Sequence, residues 1–202
     1  MAWKKDNREN RLPAVLLGYQ RRWIEDDSPV KVYEKSRRIG VSWTEAADCA
    51  LLAAATRGMN TWYIGYNKDM AQEFIEDCAE WARFYNLAAA GVEEVVLEDE
   101  AKNIAAFRIR FSSGHKVTAL SSRPANLRGK QGRIVIDEAA FHDDLAGLLK
   151  AALAMLMWGG QVHIISTHNG DENAFNELTG DIRAEKKPYS LHRTTLDDAL
   201  AE

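Results

Sequence analysis

Ile134-Val135-Ile136, followed at once by Asp137-Glu138, constrains this chain more than any other stretch. An uninterrupted apolar run of this kind marks a strand buried on both faces, which requires a parallel sheet with helices packed above and below it. A second short run, Val30, Val32 and Tyr33, leads into Lys35-Ser36-Arg37-Arg38-Ile39-Gly40-Val41-Ser42-Trp43. From there Trp43, Ala46, Ala47, Ala50, Leu51 and Ala54 recur at helical spacing, and Gly58 ends the helix. In a strand–loop–helix context, loop N–H groups and the helix N-terminus can cradle phosphates. With the acidic strand end, the loop is expected to form the two halves of a site that hydrolyses a nucleoside triphosphate.

The loop departs from the usual G-x-x-x-x-G-K-[ST] pattern. Gly40 and Ser42 match the second glycine and the hydroxyl, but Val41 stands where the lysine belongs and Lys35 where the first glycine belongs. Phosphoryl transfer still needs cations on the phosphate oxygens and a hydroxyl on the metal. Lys35 can bring its charge from the far end of the loop on a long flexible stem, and Arg38 can clamp a γ-phosphate with its planar fork. Asp137 can hold Mg²⁺ beside Ser42, and Glu138 can orient or deprotonate the attacking water. Taken singly, the loop reads equally well as a strand-to-helix turn carrying ordinary surface cations.

Elsewhere the chain alternates strands and helices. Leu12, Val15, Leu16, Tyr19 and Trp23 have helical spacing, with Pro13 suited to a first turn. Thr61 to Tyr66 reads as a strand, and Asn67 as the cap of a helix with Met70, Phe74, Cys78, Trp81 and Tyr85 on its core face. Phe107, Ile109 and Phe111 alternate with Arg108 and Arg110 and turn at Ser112-Ser113-Gly114 into His115 to Leu120, a hairpin expected to have one wet, cationic face. Phe141 to Leu156 is an amphipathic helix, Val162 to Ser166 a buried strand, Asn173 to Lys187 a helix and Tyr189 to Thr194 a last strand. The acidic stretch Glu93 to Glu100 is assigned no function. The prediction is an α/β fold, a mostly parallel sheet with helices on both faces and one antiparallel hairpin. Residues 1–11 are expected to be loose and 12–202 to form one domain.

The formal charge of −4 does not announce a polyanion partner, but its distribution does. Eight basic residues and no acid lie between Lys102 and Arg133, the footprint expected where phosphate is met. For Arg108, Arg110 and Lys116 a solvated sheet face serves as well. Arg123, Arg128 and Lys130, on a loop expected at the rim of the site, are candidates for DNA contact or for a cation given to a neighbouring subunit. Cys49 and Cys78 lack metal-ligand spacing and read as small buried residues of a reduced compartment. No run approaches membrane-spanning length, so a cytoplasmic protein is expected.

Four motifs, in order, carry a resemblance. Lys35 to Trp43 is similar to the deviant Walker A of phage terminase large subunits, in which the lysine moves to the start of the motif. Tyr19-Gln20-Arg21-Arg22-Trp23 resembles that family's adenine-binding Q motif, Val135 to Phe141 its Walker B, and Ile165-Ser166-Thr167-His168-Asn169-Gly170 its coupling motif. The resemblance implies a RecA-like P-loop fold of the additional-strand, catalytic-glutamate type. It implies ATP hydrolysis with Mg²⁺, coupled to pumping double-stranded DNA into a capsid. A homo-oligomeric ring docked on a portal protein, a small terminase subunit and the host cytoplasm come with it.

In that scheme residues 35–43 bind the nucleotide, Lys35, Arg38 and Glu138 are catalytic, and Ser42 and Asp137 hold the metal. Gln20 reads adenine, for which its amide can pair with N6 and N7; Ser166, Thr167 and Asn169 couple γ-phosphate to movement. Large terminases usually add a nuclease with clustered carboxylates, and Asp197-Asp198 alone does not supply one. The expectation is an ATPase module, a fragment or one half of a split terminase, without endonuclease activity. A helicase-like translocase, or a non-hydrolysing DNA-binding scaffold on a degenerate P-loop, are the alternatives.

Overall fold

β1 (Val30–Lys35) and β6 (Arg133–Asp137) are interior strands of an eight-stranded sheet, and their carboxyl ends fix where the site lies. A computed structural model describes residues 15–87, 89, 93–99 and 102–202. The loose segment expected at 1–11, and Leu12 and Pro13 of the first helical pattern, lie outside them.

The sheet order is β3-β4-β5-β2-β6-β7-β1-β8, with β2 Thr61–Ile64, β3 Glu93–Asp99, β4 Lys102–Arg110, β5 Lys116–Leu120, β7 Gln161–Ser166 and β8 Ser190–Thr194. The six strands from β5 to β8 are mutually parallel, while β4 runs antiparallel to both β3 and β5. β7 sits between β6 and β1, pairing Asp137 with Ile165 on one side and Glu34 with Ser166 on the other. This register brings three strand ends together, the place where open α/β sheets bind ligands.

Strand alternation sorts the core into two layers. Tyr33, Tyr63, Val135 and Ile165 face α1 (Gly18–Glu25), α2 (Val41–Ala54) and α3 (Lys68–Phe84). Val32, Ile64, Ile136 and Ile164 face α4 (Leu145–Leu153) and α5 (Ala174–Arg183), with Leu148, Ala152 and Phe175 packed on them. Burial on both faces explains why β6 reads as a continuous apolar run. Asn67 caps α3 by accepting from Met70 N at 2.9 Å, and Asn173 caps α5 through Phe175 N and Asn176 N. A short α6 (Leu196–Leu200) follows β8.

Two expectations change, and one stretch without an assignment is placed. Glu93–Asp99 is a strand, since its backbone completes the open edge of β4. The β4–β5 hairpin does not carry a uniformly wet face, because Arg108 is buried and donates from Nε to Thr118 Oγ1 at 3.2 Å. Arg133, the last cation of the basic block, is buried and ion-paired to Asp48 at 2.6 Å.

Candidate active site

β1 delivers Lys35 into the interior at the carboxyl edge, and the chain then turns through Ser36–Gly40 into α2. The turn needs two left-handed residues, Arg38 at φ 58° and Gly40 at φ 74°. The left-handed φ makes glycine the favoured residue at position 40, and a Cβ there would also press on the Gln20 amide at 2.8 Å. No side chain caps α2, which leaves its first-turn N–H groups open to an anion.

The loop's outer side is pinned by α1. Tyr19 donates its hydroxyl to Ile39 O at 2.6 Å, and Gln20 Nε2 lies 3.4 Å from Gly40 O. The other end of the same amide, Oε1, accepts from Leu17 N at 2.9 Å. Gln20 is buried and both ends of its amide are engaged within the chain, so it ties α1 to the loop. Ser36 N donates to Thr194 O, tying the loop to β8.

Lys35, Arg38, Gly40, Ser42 and Trp43 line one wall of a cavity of about 250 Å³, and Asp137 and Glu138 line the other. Ser36, Arg37 and Gln20 are not on its wall. Lys35 Nζ lies 2.7 Å from Glu138 Oε1, with the two side chains only 6% and 21% exposed. Asp137 is fully buried; its Oδ2 accepts the Tyr63 hydroxyl at 2.9 Å, its Oδ1 accepts Glu138 N at 2.8 Å, and Ser42 also hydrogen-bonds it. Glu138 itself is left-handed, at φ 47°, a conformation that costs an L-residue energy and persists where the surroundings enforce it.

These environments separate the two carboxyls. Burial raises the Asp137 carboxyl, and the Lys35 ammonium and the Ser42 bond offset this only in part. Burial raises Glu138 too, but Lys35 and the hydrogen bonds from Thr167 outweigh it and hold this carboxyl below its ordinary range. Glu138 is therefore ionised at neutral pH.

Thr167 reaches Glu138 Oε2 with both its N–H, at 3.2 Å, and its hydroxyl, at 3.1 Å. Ser166 does not face the cavity. Its buried hydroxyl accepts from Ala140 N and donates to Thr167 O, bolting β7 to the turn after β6. Asn169 Nδ2 donates to Ala140 O at 3.3 Å. Of the three coupling residues only Thr167 touches the acid pair. Beyond it, His168 Nε2 bonds Glu34 Oε1 at 2.5 Å, and Glu34 also pairs with Arg183 of α5.

Arg128 and Lys130 lie away from this site. They line a separate cavity of about 690 Å³ with Met155 and Trp158, near the amino ends of β6 and β7, because the chain must descend the sheet between parallel β5 and β6. Lys130 Nζ stands 4.9 Å from the Trp62 ring. Arg123 is exposed, immediately before a 3-10 turn at Pro124–Leu127.

Sequence reasoning missed the α3 wall. Met70, Glu73, Phe74 and Asp77 line the small cavity, and Tyr63 stacks on Phe74 at 3.8 Å while holding Asp137. Helical spacing had assigned Met70 and Phe74 to the core, and periodicity cannot show which core residues border a cavity.

A glycine-dependent loop after β1, an uncapped helix beyond it and an acid pair after β6 in this strand order define a RecA-like P-loop NTPase fold. Residues 32–201 match the family model for the terminase large subunit, T4likevirus-type, N-terminal. The chain is 55% identical over 192 residues to the Mu-like prophage FluMu protein gp28 of Haemophilus influenzae, and 52% identical over 195 residues to the probable terminase large subunit gp28 of Escherichia phage Mu. Those alignments cover 94% and 93% of this chain but 38% and 35% of the relatives, so the chain spans little more than a third of their length. The ATPase domain of the Thermus phage P74-26 large terminase superposes with a TM-score of 0.65 at 17% identity, over 92% of this chain and 83% of that one. The large terminase of bacteriophage D6E in complex with ATP-gamma-S gives 0.66 at 15%, over 92% and 46%. The chain belongs to the terminase large subunit family.

Proposed function

We propose that this chain is the ATP-hydrolysing part of a phage DNA-packaging motor. The observation that carries the reading is the convergence of Lys35, Ser42, Asp137 and Glu138 on one cavity from two separate strand ends. Lys35 and Arg38 neutralise the β- and γ-phosphates, and the N–H groups at the start of α2 cradle them. Glu138, kept ionised, accepts a proton from water as the water oxygen attacks the γ-phosphorus and the bond to the ADP oxygen breaks. Clamps of this kind are worth about 10³-fold or more in rate.

The donor set also fits a divalent cation. The Ser42 hydroxyl and the buried Asp137 carboxylate are hard oxygen ligands already in mutual contact, and Mg²⁺ is typically held by few protein oxygens together with substrate phosphates. When bound, the metal would neutralise charge on the β- and γ-oxygens. Thr167 would respond to the γ-phosphate through Glu138, and His168 and Glu34 would carry the change to α5 and β8.

The relatives named as terminases support double-stranded DNA as the track, and the family supports a ring on a portal with a small terminase subunit. No helix among the described residues is long and apolar enough to cross a membrane, consistent with action in the host cytoplasm. Among the described residues, the one His/acid grouping with metal-ligand spacing is Glu45, Asp48 and His163, and Arg133 already pairs with its acids. The test is phosphate release from ATP with Mg²⁺, with and without duplex DNA: metal-dependent turnover by the wild-type chain supports the reading. Nucleotide binding without turnover would favour a scaffold, and strand separation by the pure protein would favour a helicase-like translocase.

A further inference from the structure

Directly behind the acid pair lies an imidazole that this hydrolysis scheme does not use. His142 is 7% exposed, and both its ring nitrogens are engaged. Nε2 lies 2.8 Å from Asp137 O. A carbonyl only accepts, so Nε2 carries the hydrogen and Nδ1 presents its lone pair. The Ser122 hydroxyl donates to it, with Oγ 2.5 Å from Nδ1. One ring thus joins the backbone beside Asp137 to the loop that leaves β5.

The bond to Asp137 O controls more than its own atom. That carbonyl and Glu138 N belong to one planar peptide unit. His142 grips its oxygen, and Asp137 Oδ1 grips its N–H at 2.8 Å. The orientation of this plane sets the φ of Glu138, which is left-handed at 47°. Shifting the imidazole would rotate the plane and re-aim the carboxylate that faces Lys35.

The loop end of the connection is stiff. Buried Asn126 donates its amide to Ser121 O at 3.0 Å and lies 2.9 Å from Ser121 Oγ, and Arg123 N donates to Ser121 O at 2.8 Å. Arg123 is exposed and follows Ser122 directly in sequence, so it is the cation of the 121–132 segment closest along the chain to the residue that bonds the imidazole.

We propose that His142 is a positioning residue through which duplex DNA held at the Arg123 end of the loop sets the aim of Glu138. This rests on the ATPase reading above, and it supplies that site with a regulator: the track itself. DNA phosphates attracted to Arg123 shift Ser122, the Ser122–His142 bond moves the ring, and the Asp137–Glu138 peptide follows.

The test compares phosphate release by the wild-type chain, Ser122→Ala and Ser122→Thr, each with and without a short duplex. Wild type should be stimulated severalfold in kcat. Ser122→Ala should keep basal turnover within about twofold and the same duplex affinity, yet lose the stimulation; Ser122→Thr, which keeps the hydroxyl, should restore it. Stimulation of Ser122→Ala equal to wild type overturns the proposal, as does wild-type turnover that duplex leaves unchanged. Absence of wild-type turnover would instead count against the ATPase reading. The coupling is then read from the affinity of a fluorescent ADP analogue with and without duplex. A shift present in wild type and lost in Ser122→Ala upholds it, and equal shifts or none overturn it.

Discussion

Lys35 Nζ lies 2.7 Å from Glu138 Oε1, so the cation proposed to grip a triphosphate and the carboxylate proposed to activate water neutralise one another. Both are largely shielded from solvent, which strengthens the pair relative to a surface ion pair. On the proposed function, a triphosphate would have to win Lys35 from Glu138 and would thereby free the carboxylate for water. Glu138→Gln weakens the competing pair and should tighten binding of a fluorescent ATP analogue about fivefold, or about 1 kcal/mol. Lys35→Ala should weaken it by about tenfold or more. Equal affinities in the three proteins would mean that the pair is not opened by nucleotide.

The clamp on the loop makes a separate prediction. Gly40 is left-handed, and an added Cβ would meet Gln20 Nε2 at 2.8 Å. Gly40→Ala should cost about 1–3 kcal/mol in a urea melt, and nucleotide affinity should fall with it because the phosphate turn is displaced. Gln20→Ala removes the obstruction but frees Gly40 O and the start of α1, and should weaken affinity less than Gly40→Ala does. A Gln20→Ala variant that specifically lost preference for adenine over guanine nucleotides would support the base-reading role.

Under the same helix lies a buried charged cluster. Glu45 of α2 accepts from Trp23 Nε1 at 2.6 Å and His163 Nδ1 at 2.7 Å, and Arg133 bonds Asp48 at 2.6 Å. Burial, only partly opposed by Glu45, pushes His163 down to about 4, so the ring is neutral at pH 7. Lys31 completes the balance, donating to Trp23 O at 2.6 Å. Arg133→Met leaves two carboxylates short of a partner and should destabilise the fold by about 3–5 kcal/mol, measured by urea unfolding. A change under about 1 kcal/mol would mean that the cluster is not closed as described.

Asp77, on the α3 wall, gives a pH signature. Burial and the neighbouring Glu73, Glu80 and Glu76 push its carboxyl up to about 6, above its unfolded value near 4. The native state then holds the proton more tightly, so the Asp77 contribution to stability falls as pH rises from about 4 to about 6 and is level above that. Asp77→Asn should raise thermal stability by about 1 kcal/mol at pH 7.5, allowing for solvent screening, and by nothing near pH 4. A gain independent of pH would assign the effect to packing.

How much of this was legible depended on the range of each interaction. The strand ending in Asp137, the Asn67 cap and the phosphate-type turn follow from neighbouring residues, and sequence alone placed them. The basic run ending at Arg133 looked uniform because Asp48, its partner, lies far back on α2. The contact of Gln20 with Gly40 O was not legible, because it is made only by packing of α1 on the loop. Glu93–Asp99 had no signal of its own, since the edge of β4 is what makes it a strand. Tyr63 and the α3 wall were hidden by periodicity, which marks apolar positions without saying which of them border a cavity.

The claim on which everything turns is that the cavity between Lys35 and Glu138 hydrolyses ATP. The direct measurement is single-turnover phosphate release by wild type and Glu138→Gln at saturating ATP and Mg²⁺, with binding checked in the same samples. Glu138→Gln should bind at least as well as wild type and release phosphate about 10²–10⁴-fold more slowly, the range for loss of a general base. Phosphate release by Glu138→Gln at the wild-type rate would contradict the assignment of this acid pair as the hydrolytic centre.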